Sequence, residues 1–215
     1  MELFCFQNAT FQVLKLYLLI GNNLTAVNNT RVLTVTEQGN RDYSKSIIQG
    51  RLQELGLEEV IIMGDGNCFF TAVAFHLSNL MSAYESTAIS VRRRLASIGL
   101  LQTMNMQEIA DHLRGLVVKE WRERADEYTS FLQENVNYLA EVSKFENPVF
   151  FTSPLGDHMP KAMSNVLRMP LRIVGSEPST PALCVSPSAS IDSPVQITLA
   201  YDSNGPGHYN ATISK

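Results

Sequence analysis

The sequence predicts an α+β domain in which a small central β-sheet is flanked by helices. The chain has 215 residues, 45% of them hydrophobic and 18% charged, a composition that can form a core and that excludes intrinsic disorder. Apolar residues recur at helical spacing in several segments, and short β-branched or alternating segments lie between and after them. Helices and strands mixed in this order are typical of a sheet with helices packed on it.

The chain divides near residue 42. Residues 1–42 combine apolar pieces with an Asn- and Thr-rich stretch, and we predict an N-terminal extension to which the sequence assigns no role. Within it, residues 32–35 are a candidate strand. Residues 43–215 carry the regular apolar patterns and are predicted to be the main domain, a length typical of one domain.

The main domain begins with a helix, a strand and a second helix. Before Gly56, which ends the first helix, four apolar side chains recur at helical spacing: Ile47, Ile48, Leu52 and Leu55. Residues 60–63 form a short apolar segment that predicts a strand. Residues 64–67 read Gly-Asp-Gly-Asn, which predicts a tight turn, and the apolar segment 68–80 predicts a buried helix.

The middle of the domain is predicted to contain three further helices. The apolar stripe of the first comprises Met106, Ile109, Ala110, Leu113 and Val117. That of the second comprises Tyr128, Phe131, Leu132, Val136 and Leu139. The third covers residues 159–167, with Asp157 placed to cap it and Pro160 tolerated in its first turn.

Four short strands complete the domain. Residues 171–174 follow the third helix directly, and residues 182–185 form a brief strand inside the Ser- and Pro-rich segment 175–194. Residues 197–201 and 208–213 alternate in the manner of half-buried strands, and a loop ending in Gly-Pro-Gly joins them.

The composition argues against nucleic-acid, membrane and metal partners. Lys and Arg number 17 against 21 Asp and Glu, and a net charge of −4 has the wrong sign for binding phosphates, so no nucleic-acid partner is expected. The apolar segment 11–20 is about half the length needed to span a bilayer, so no membrane partner is expected. Cys5, Cys68 and Cys184 lack the spacing of zinc ligands or of a disulfide framework, which predicts free thiols, no metal and a reducing, cytoplasmic location.

Cys68 is the strongest candidate nucleophile. A thiol reacts as its thiolate, and the N-terminus of a helix favours the charged form. The preceding glycines allow the backbone of residues 65–68 to turn its N–H groups toward one point, as an oxyanion hole requires. The alternative is an ordinary turn followed by a small buried apolar residue, and spacing alone favours this alternative.

His208 is the histidine best placed to act as the base. On a strand, His208 and Asn210 share one face, so Asn210 can accept a hydrogen bond from one ring nitrogen while the other faces the thiol. The alternative for this segment is a solvent-facing strand start. His76, His112 and His158 lie on predicted helices or at their ends, where structural or surface roles are more common.

Two segments of the chain resemble the motifs of one enzyme family. Residues 64–74, Gly-Asp-Gly-Asn-Cys-Phe-Phe-Thr-Ala-Val-Ala, resemble the nucleophile motif of the ovarian-tumour (OTU) family of cysteine deubiquitinases. Residues 207–211, Gly-His-Tyr-Asn-Ala, resemble the family's C-terminal His motif, and the order along the chain matches. The resemblance implies an OTU-like cysteine-protease fold and a catalytic domain at residues 43–215.

The resemblance implies a role for each matching residue. Cys68 would be the nucleophile, His208 the general base and acid, and Asn210 the group that orients His208. The backbone around Asp65, with the N–H of Cys68, would form the oxyanion hole. The family usually has Asp at the position of Asn210 and commonly a basic residue at that of Thr71, and a neutral amide stabilises an imidazolium less than a carboxylate does.

The implied activity is that of a thiol-dependent ubiquitinyl hydrolase without cofactor or metal. It would act as a monomer on ubiquitin, polyubiquitin chains or a ubiquitin-like modifier. The thiolate would attack the carbonyl of the modifier's C-terminal glycine, and water would hydrolyse the resulting thioester. Two alternatives stay open: a catalytically silent OTU-like module that binds ubiquitin or another partner, and a thiol hydrolase that acts on a different acyl substrate.

Overall fold

The computed structural model describes residues 35–83, 86–150, 152–190, 195–205 and 207–215. Positions 32–34 of the candidate strand lie outside these ranges, and Val35 is the first residue of a helix. This helix runs through the predicted division at residue 42, and one compact unit comprises Gly39–Lys215.

Helices and strands follow one another along the described chain. The helices are α1 (Val35–Glu54), α2 (Cys68–Ser82), α3 (Ser86–Ser97), α4 (Met106–Glu123), α5 (Ala125–Thr129), α6 (Tyr138–Lys144), a 3₁₀ turn (Gly156–His158) and α7 (Met159–Leu167). The strands are β1 (Leu57–Val60), β2 (Leu171–Gly175), β3 (Ala182–Val185), β4 (Ile197–Asp202) and β5 (His208–Ser214). None of the described helices has the length and apolar character needed to cross a membrane.

Within the described residues the strands form a five-stranded sheet in the order β1-β5-β4-β2-β3. β2 and β4 run parallel, and the other neighbouring pairs run antiparallel. α2 contacts both β5 and α4, so it links the sheet to the helices that cover it. The expected α+β class, with a small sheet flanked by helices, is confirmed, and the strands predicted in the C-terminal third are confirmed to within one residue.

α2 lies at the centre of the core. Six of its side chains are fully buried: Phe69, Phe70, Ala72, Val73, Ala74 and Leu77. The ring of Phe69 packs edge-to-face against Phe70 and Tyr209, with centroids 5.4 and 5.0 Å away. A helix packed this densely has little freedom to shift, so the position of its first residue, Cys68, is fixed by the core.

The strand expected at residues 60–63 is wrong, because β1 covers Leu57–Val60 and the chain then leaves the sheet. At Ile62 the backbone N–H donates to the side-chain oxygen of Asn210, at 2.8 Å. A side-chain acceptor thus takes the place of the backbone acceptor that a longer strand would have used.

The single helix expected over residues 128–139 is also wrong. α5 ends at Thr129, and α6 begins only at Tyr138. The side-chain oxygen of Asn137 accepts a hydrogen bond from the backbone N–H of Ala140 at 3.1 Å and so starts a new helix. The apolar spacing is shared between two short helices and the turns that join them.

Asp157 does not cap α7 as expected. The 3₁₀ turn at Gly156–His158 leads directly into α7, and no side chain of the described residues caps the helix start. The backbone supplies the first bond, because the N–H of His158 donates to the carbonyl oxygen of Leu155 at 3.0 Å. Pro160 lies in the first turn as predicted.

Candidate active site

The Gly-Asp-Gly-Asn turn (residues 64–67) leads into α2. Gly66 has a φ of +82°, and a Cβ there would lie 2.2 Å from the carbonyl oxygen of Val149, so the turn requires glycine at this position. The side chain of Asp65 accepts a hydrogen bond from the backbone N–H of Asn67 at 2.9 Å. This side-chain bond closes the turn.

Cys68 is buried and is the first residue of α2. The first N–H groups of a helix have no acceptor within the helix. Accordingly, the bond from the N–H of Thr71 to the carbonyl oxygen of Asn67, at 2.9 Å, is made by the fourth residue of α2. The N–H of Cys68 and the backbone around Asp65 thus lie at a helix end suited to stabilising an anion.

His208, the first residue of β5, lies against the Gly-Asp-Gly-Asn turn. Its Nδ1 is 3.6 Å from the position that a Cβ on Gly64 would occupy. A hydrogen bond to Cys68 is the largest influence on the pKa of His208 and raises it. Burial lowers this pKa, while the thiolate charge and the contacts with Asn210 and Ile62 raise it, and the net result is a pKa above the usual value.

Asn210 is buried between His208 and the end of β1. Its Oδ1 accepts a hydrogen bond from the backbone N–H of Ile62 at 2.8 Å, and its Nδ2 donates to Oε1 of Glu59 at 2.8 Å. A backbone N–H can only donate and a carboxylate can only accept, so these two partners allow one orientation of the amide. Its oxygen faces Nε2 of His208, 3.0 Å away.

The orientation of the amide decides the tautomer of His208. Nε2 lies 3.0 Å from Oδ1 of Asn210 and 3.0 Å from the carbonyl oxygen of Ile62, and because both are acceptors, Nε2 carries a hydrogen. Nδ1 is therefore the nitrogen left for the thiol of Cys68. A neutral ring can take the thiol proton at Nδ1, and the resulting imidazolium lies beside the thiolate.

The structure brings together the four residues predicted from the sequence: Cys68, His208, Asn210 and Asp65. Sequence reasoning missed Glu59, which lies on β1 and holds the amide of Asn210. The expected strand began one residue too late to include it, and the two residues are 151 positions apart along the chain. The register, which places Glu59 opposite Thr212, is what brings it next to Asn210.

Arg114 is the second residue that sequence reasoning missed. It lies on α4, is buried, and donates hydrogen bonds to the carbonyl oxygen of Gly66 and to Oδ1 of Asn67. A single Arg among the apolar positions of a predicted helix has no partner that the sequence identifies. Its position within the apolar stripe, one residue after Leu113, was the available signal.

The other histidines make structural contacts. Nε2 of His76 accepts the backbone N–H of Thr212 at 3.3 Å, and burial lowers the pKa of His76 to about 4. His112 bonds the carbonyl oxygen of Ile98 at 2.8 Å. Burial also lowers the pKa of His158 to about 4. In the described part of the chain, no group of three His, Cys, Asp or Glu side chains is arranged to hold a metal ion.

Solved structures resemble this chain along most of its length. The OTU domain of OTUD1 is 15% identical, with a TM-score of 0.54, over 82% of this chain and 99% of that chain. A complex of h/ceOTUB1 with ubiquitin aldehyde and UBC13~Ub is 17% identical, with a TM-score of 0.55, over 95% of this chain and 88% of that chain. A complex of h/ceOTUB1 with ubiquitin aldehyde and UBCH5B~Ub is 15% identical, with a TM-score of 0.52 and the same coverage.

The chain has an OTU fold. This confirms the fold that the two sequence motifs implied. No family model and no curated protein matches the sequence. At such low identity the likeness concerns the OTU fold, and the chemistry of individual residues rests on the contacts described above.

Proposed function

We propose that this protein is a thiol-dependent deubiquitinase that hydrolyses isopeptide bonds at the C-terminal glycine of ubiquitin. The observation that carries the proposal is the contact of Nε2 of His208 with Oδ1 of Asn210, which leaves Nδ1 of the ring for the thiol of Cys68. The interaction with Cys68 that raises the pKa of His208 supports it. The OTU fold supports the choice of substrate, since neighbours with that fold are complexes containing ubiquitin aldehyde.

The reaction begins when Nδ1 of His208 takes the proton of Cys68. The thiolate sulfur attacks the carbonyl carbon of ubiquitin's last glycine, and the carbonyl electron pair moves to oxygen. The N–H of Cys68 and the backbone around Asp65 stabilise this oxyanion. When the carbonyl reforms, the bond to the lysine amine breaks, and the imidazolium of His208 protonates the departing amine.

Hydrolysis of the thioester restores the enzyme. His208 takes a proton from water, and the water oxygen attacks the thioester carbon. The second oxyanion collapses and the carbon–sulfur bond breaks, so the glycine leaves as its carboxylic acid, which loses its proton to solvent, and the thiolate of Cys68 is again paired with the imidazolium. Asn210 and Glu59 contribute by holding the hydrogen on Nε2 through both steps.

A ubiquitin probe with a C-terminal electrophile tests the proposal. We expect one adduct, located on Cys68 by mass spectrometry, and cleavage of at least one linkage in a panel of diubiquitins under reducing conditions. Cys68→Ala should give neither, whereas the matched control Cys184→Ala, which removes an exposed thiol, should give both. Absence of both adduct and cleavage in the unaltered protein refutes the deubiquitinase proposal. An adduct only with a probe built on a ubiquitin-like modifier refutes the choice of ubiquitin.

A further inference from the structure

Arg114 is a buried cation that donates to uncharged oxygens. The residue is 4% exposed. Nη2 donates to the carbonyl oxygen of Gly66 at 2.9 Å and to Oδ1 of Asn67 at 2.8 Å, and Nε donates to the same Oδ1 at 3.2 Å. The ring centre of Phe70 lies 4.5 Å from Cζ. Among the described residues, no carboxylate forms an ion pair with the guanidinium.

A buried charge without an ion-pair partner is costly. Burial lowers the pKa of Arg114 to about 10, while the charges of Asp111, Asp65 and the Cys68 thiolate raise it, so the side chain stays protonated at neutral pH. An apolar side chain would fill the space between α4 and α2 at lower cost. The oxygens that Arg114 holds therefore account for a guanidinium at this position.

The contact with Gly66 fixes the peptide bond just before the nucleophile. The peptide is trans and planar, so its C=O and N–H point in opposite directions. The C=O of Gly66 points at Arg114, and the N–H of Asn67 points at the carboxylate of Asp65, 2.9 Å away. Both ends of this peptide are held, and the next N–H along the chain is that of Cys68.

The side chain of Asn67 is used at one end only. Oδ1 accepts two hydrogen bonds from Arg114, whereas Nδ2 is buried and has no partner within the described residues. Buried amides usually satisfy both ends. The oxygen is therefore the functional part of this side chain, and its partner is Arg114.

Arg114 also connects the turn to a second backbone segment, residues 145–150. Nη1 donates to the carbonyl oxygens of Phe145 at 3.4 Å and Phe150 at 2.9 Å. The carbonyl of Val149 in this segment lies against Gly66. One side chain thus joins two backbone segments that meet beside the nucleophile.

We propose that Arg114 is a positioning residue that holds the Gly-Asp-Gly-Asn turn so that the N–H groups next to Cys68 stabilise the oxyanion. This rests on the proposed role of Cys68 as nucleophile. It predicts that loss of the guanidinium fork slows acyl transfer and leaves the reactivity of the thiolate itself largely unchanged.

Two reactions of Cys68 separate these effects. p-Nitrophenyl acetate acetylates the thiolate through a tetrahedral oxyanion and releases p-nitrophenolate. Iodoacetamide alkylates the thiolate by displacing iodide from a saturated carbon, and no oxyanion forms. Both need no ubiquitin, so they test Arg114 even if the proposed substrate is wrong.

Arg114→Lys keeps the positive charge but loses the planar guanidinium, whose N–H donors point in fixed directions. We expect the ratio of acetylation rate to alkylation rate to fall at least about tenfold, given that removal of one oxyanion donor typically costs about 100-fold or more. With a fluorogenic ubiquitin amide, kcat should fall by a similar factor and KM should stay within about threefold, because the ubiquitin-binding surface is not altered. The matched control is Arg122→Lys, an exposed Arg on the same helix, which should leave both rates unchanged.

A second pair of variants guards against loss of folding in Arg114→Lys. Asn67→Leu removes the acceptor oxygen without leaving a new buried amide, and it should lower the same ratio. Asn67→Asp keeps an acceptor oxygen, so its ratio of acetylation rate to alkylation rate should lie within about fivefold of that of the unaltered protein. Alkylation is measured across pH to correct for the added charge. Unchanged ratios in Arg114→Lys and Asn67→Leu, or equal loss of acetylation and alkylation in both, overturn the proposal.

Discussion

Asn210→Asp is the most informative substitution at this site. It introduces the residue that the OTU family usually has, and a carboxylate would ordinarily stabilise the imidazolium of His208 better than an amide does. Here, however, Nδ2 of Asn210 donates to Oε1 of Glu59 at 2.8 Å. The substitution replaces that donor by an oxygen and places two carboxylates in contact. We therefore expect activity to decrease.

The expected decrease in activity can be calculated from the contact between residue 210 and Glu59. Two unit charges 2.8 Å apart repel by about 6 kcal/mol at an effective dielectric constant of about 20. The half-buried Glu59 can relieve part of this by turning toward water or by sharing a proton with the new carboxylate. The lost hydrogen bond to a charged group is still worth about 2 kcal/mol, which corresponds to a decrease of about 30-fold in kcat/KM.

The loss of activity in Asn210→Asp should become larger as the pH rises. Two carboxylates in contact raise the pKa of one of them, so the pair binds a proton at low pH and repels at high pH. The ratio of variant to unaltered kcat/KM should therefore fall as pH rises from 6 to 9. Glu59→Gln combined with Asn210→Asp restores a donor and should recover activity to within about threefold, as a double-mutant cycle on a fluorogenic ubiquitin amide would measure.

Two results would contradict the role assigned to Glu59. If Asn210→Asp alone matches or exceeds the unaltered protein at pH 8, the carboxylate of Glu59 does not control the amide. The same conclusion follows if the double variant is no better than the single one. The matched control is Glu58→Gln, which alters an exposed neighbour on β1. It should leave kcat/KM unchanged, both alone and combined with Asn210→Asp.

Three further predictions concern the turn, the base and the core. Gly66→Ala should abolish most activity, because its Cβ would meet the carbonyl of Val149 at 2.2 Å and φ is +82°; an active variant with unchanged kcat would contradict this. Cys68→Ala should lower the pKa of His208 measured by NMR, because the bond to Cys68 is the main influence raising it, and an unchanged pKa would show that the two do not interact. Phe69→Ala should lower the free energy of unfolding by about 3–5 kcal/mol in urea titrations; a loss below about 1 kcal/mol would show that the ring is not packed in the core.

α2 and β5 could be predicted because their sequence signals are local. A turn of Gly-Asp-Gly-Asn before a continuous apolar run determines where α2 begins, and alternation determines which residues of β5 share a face with His208. These two facts, together with the motifs, were sufficient to choose Cys68 and Asn210 from the sequence.

The remainder depends on contacts between distant parts of the chain. The hydrogen-bond partners of Glu59 and Arg114 are placed next to them only by the folded structure. The apolar stripe marks Arg114 as unusual, but it does not identify those partners. The prediction of a single helix over residues 128–139 was wrong for a local reason, because Asn137 caps a new helix within an otherwise regular apolar pattern. Periodicity detects the buried face but not a break within it.

The pairing of β1 with β5 has a consequence for the protein during synthesis. His208 and Asn210 contact Ile62 and Glu59, residues that are 146 and 151 positions earlier in the chain. A nascent chain therefore contains Cys68 before His208 has been synthesised, and under the proposed mechanism the thiol has no base at that stage. Under that mechanism, the pairing of β5 with β1 and β4 both completes the sheet and brings the base to the thiol.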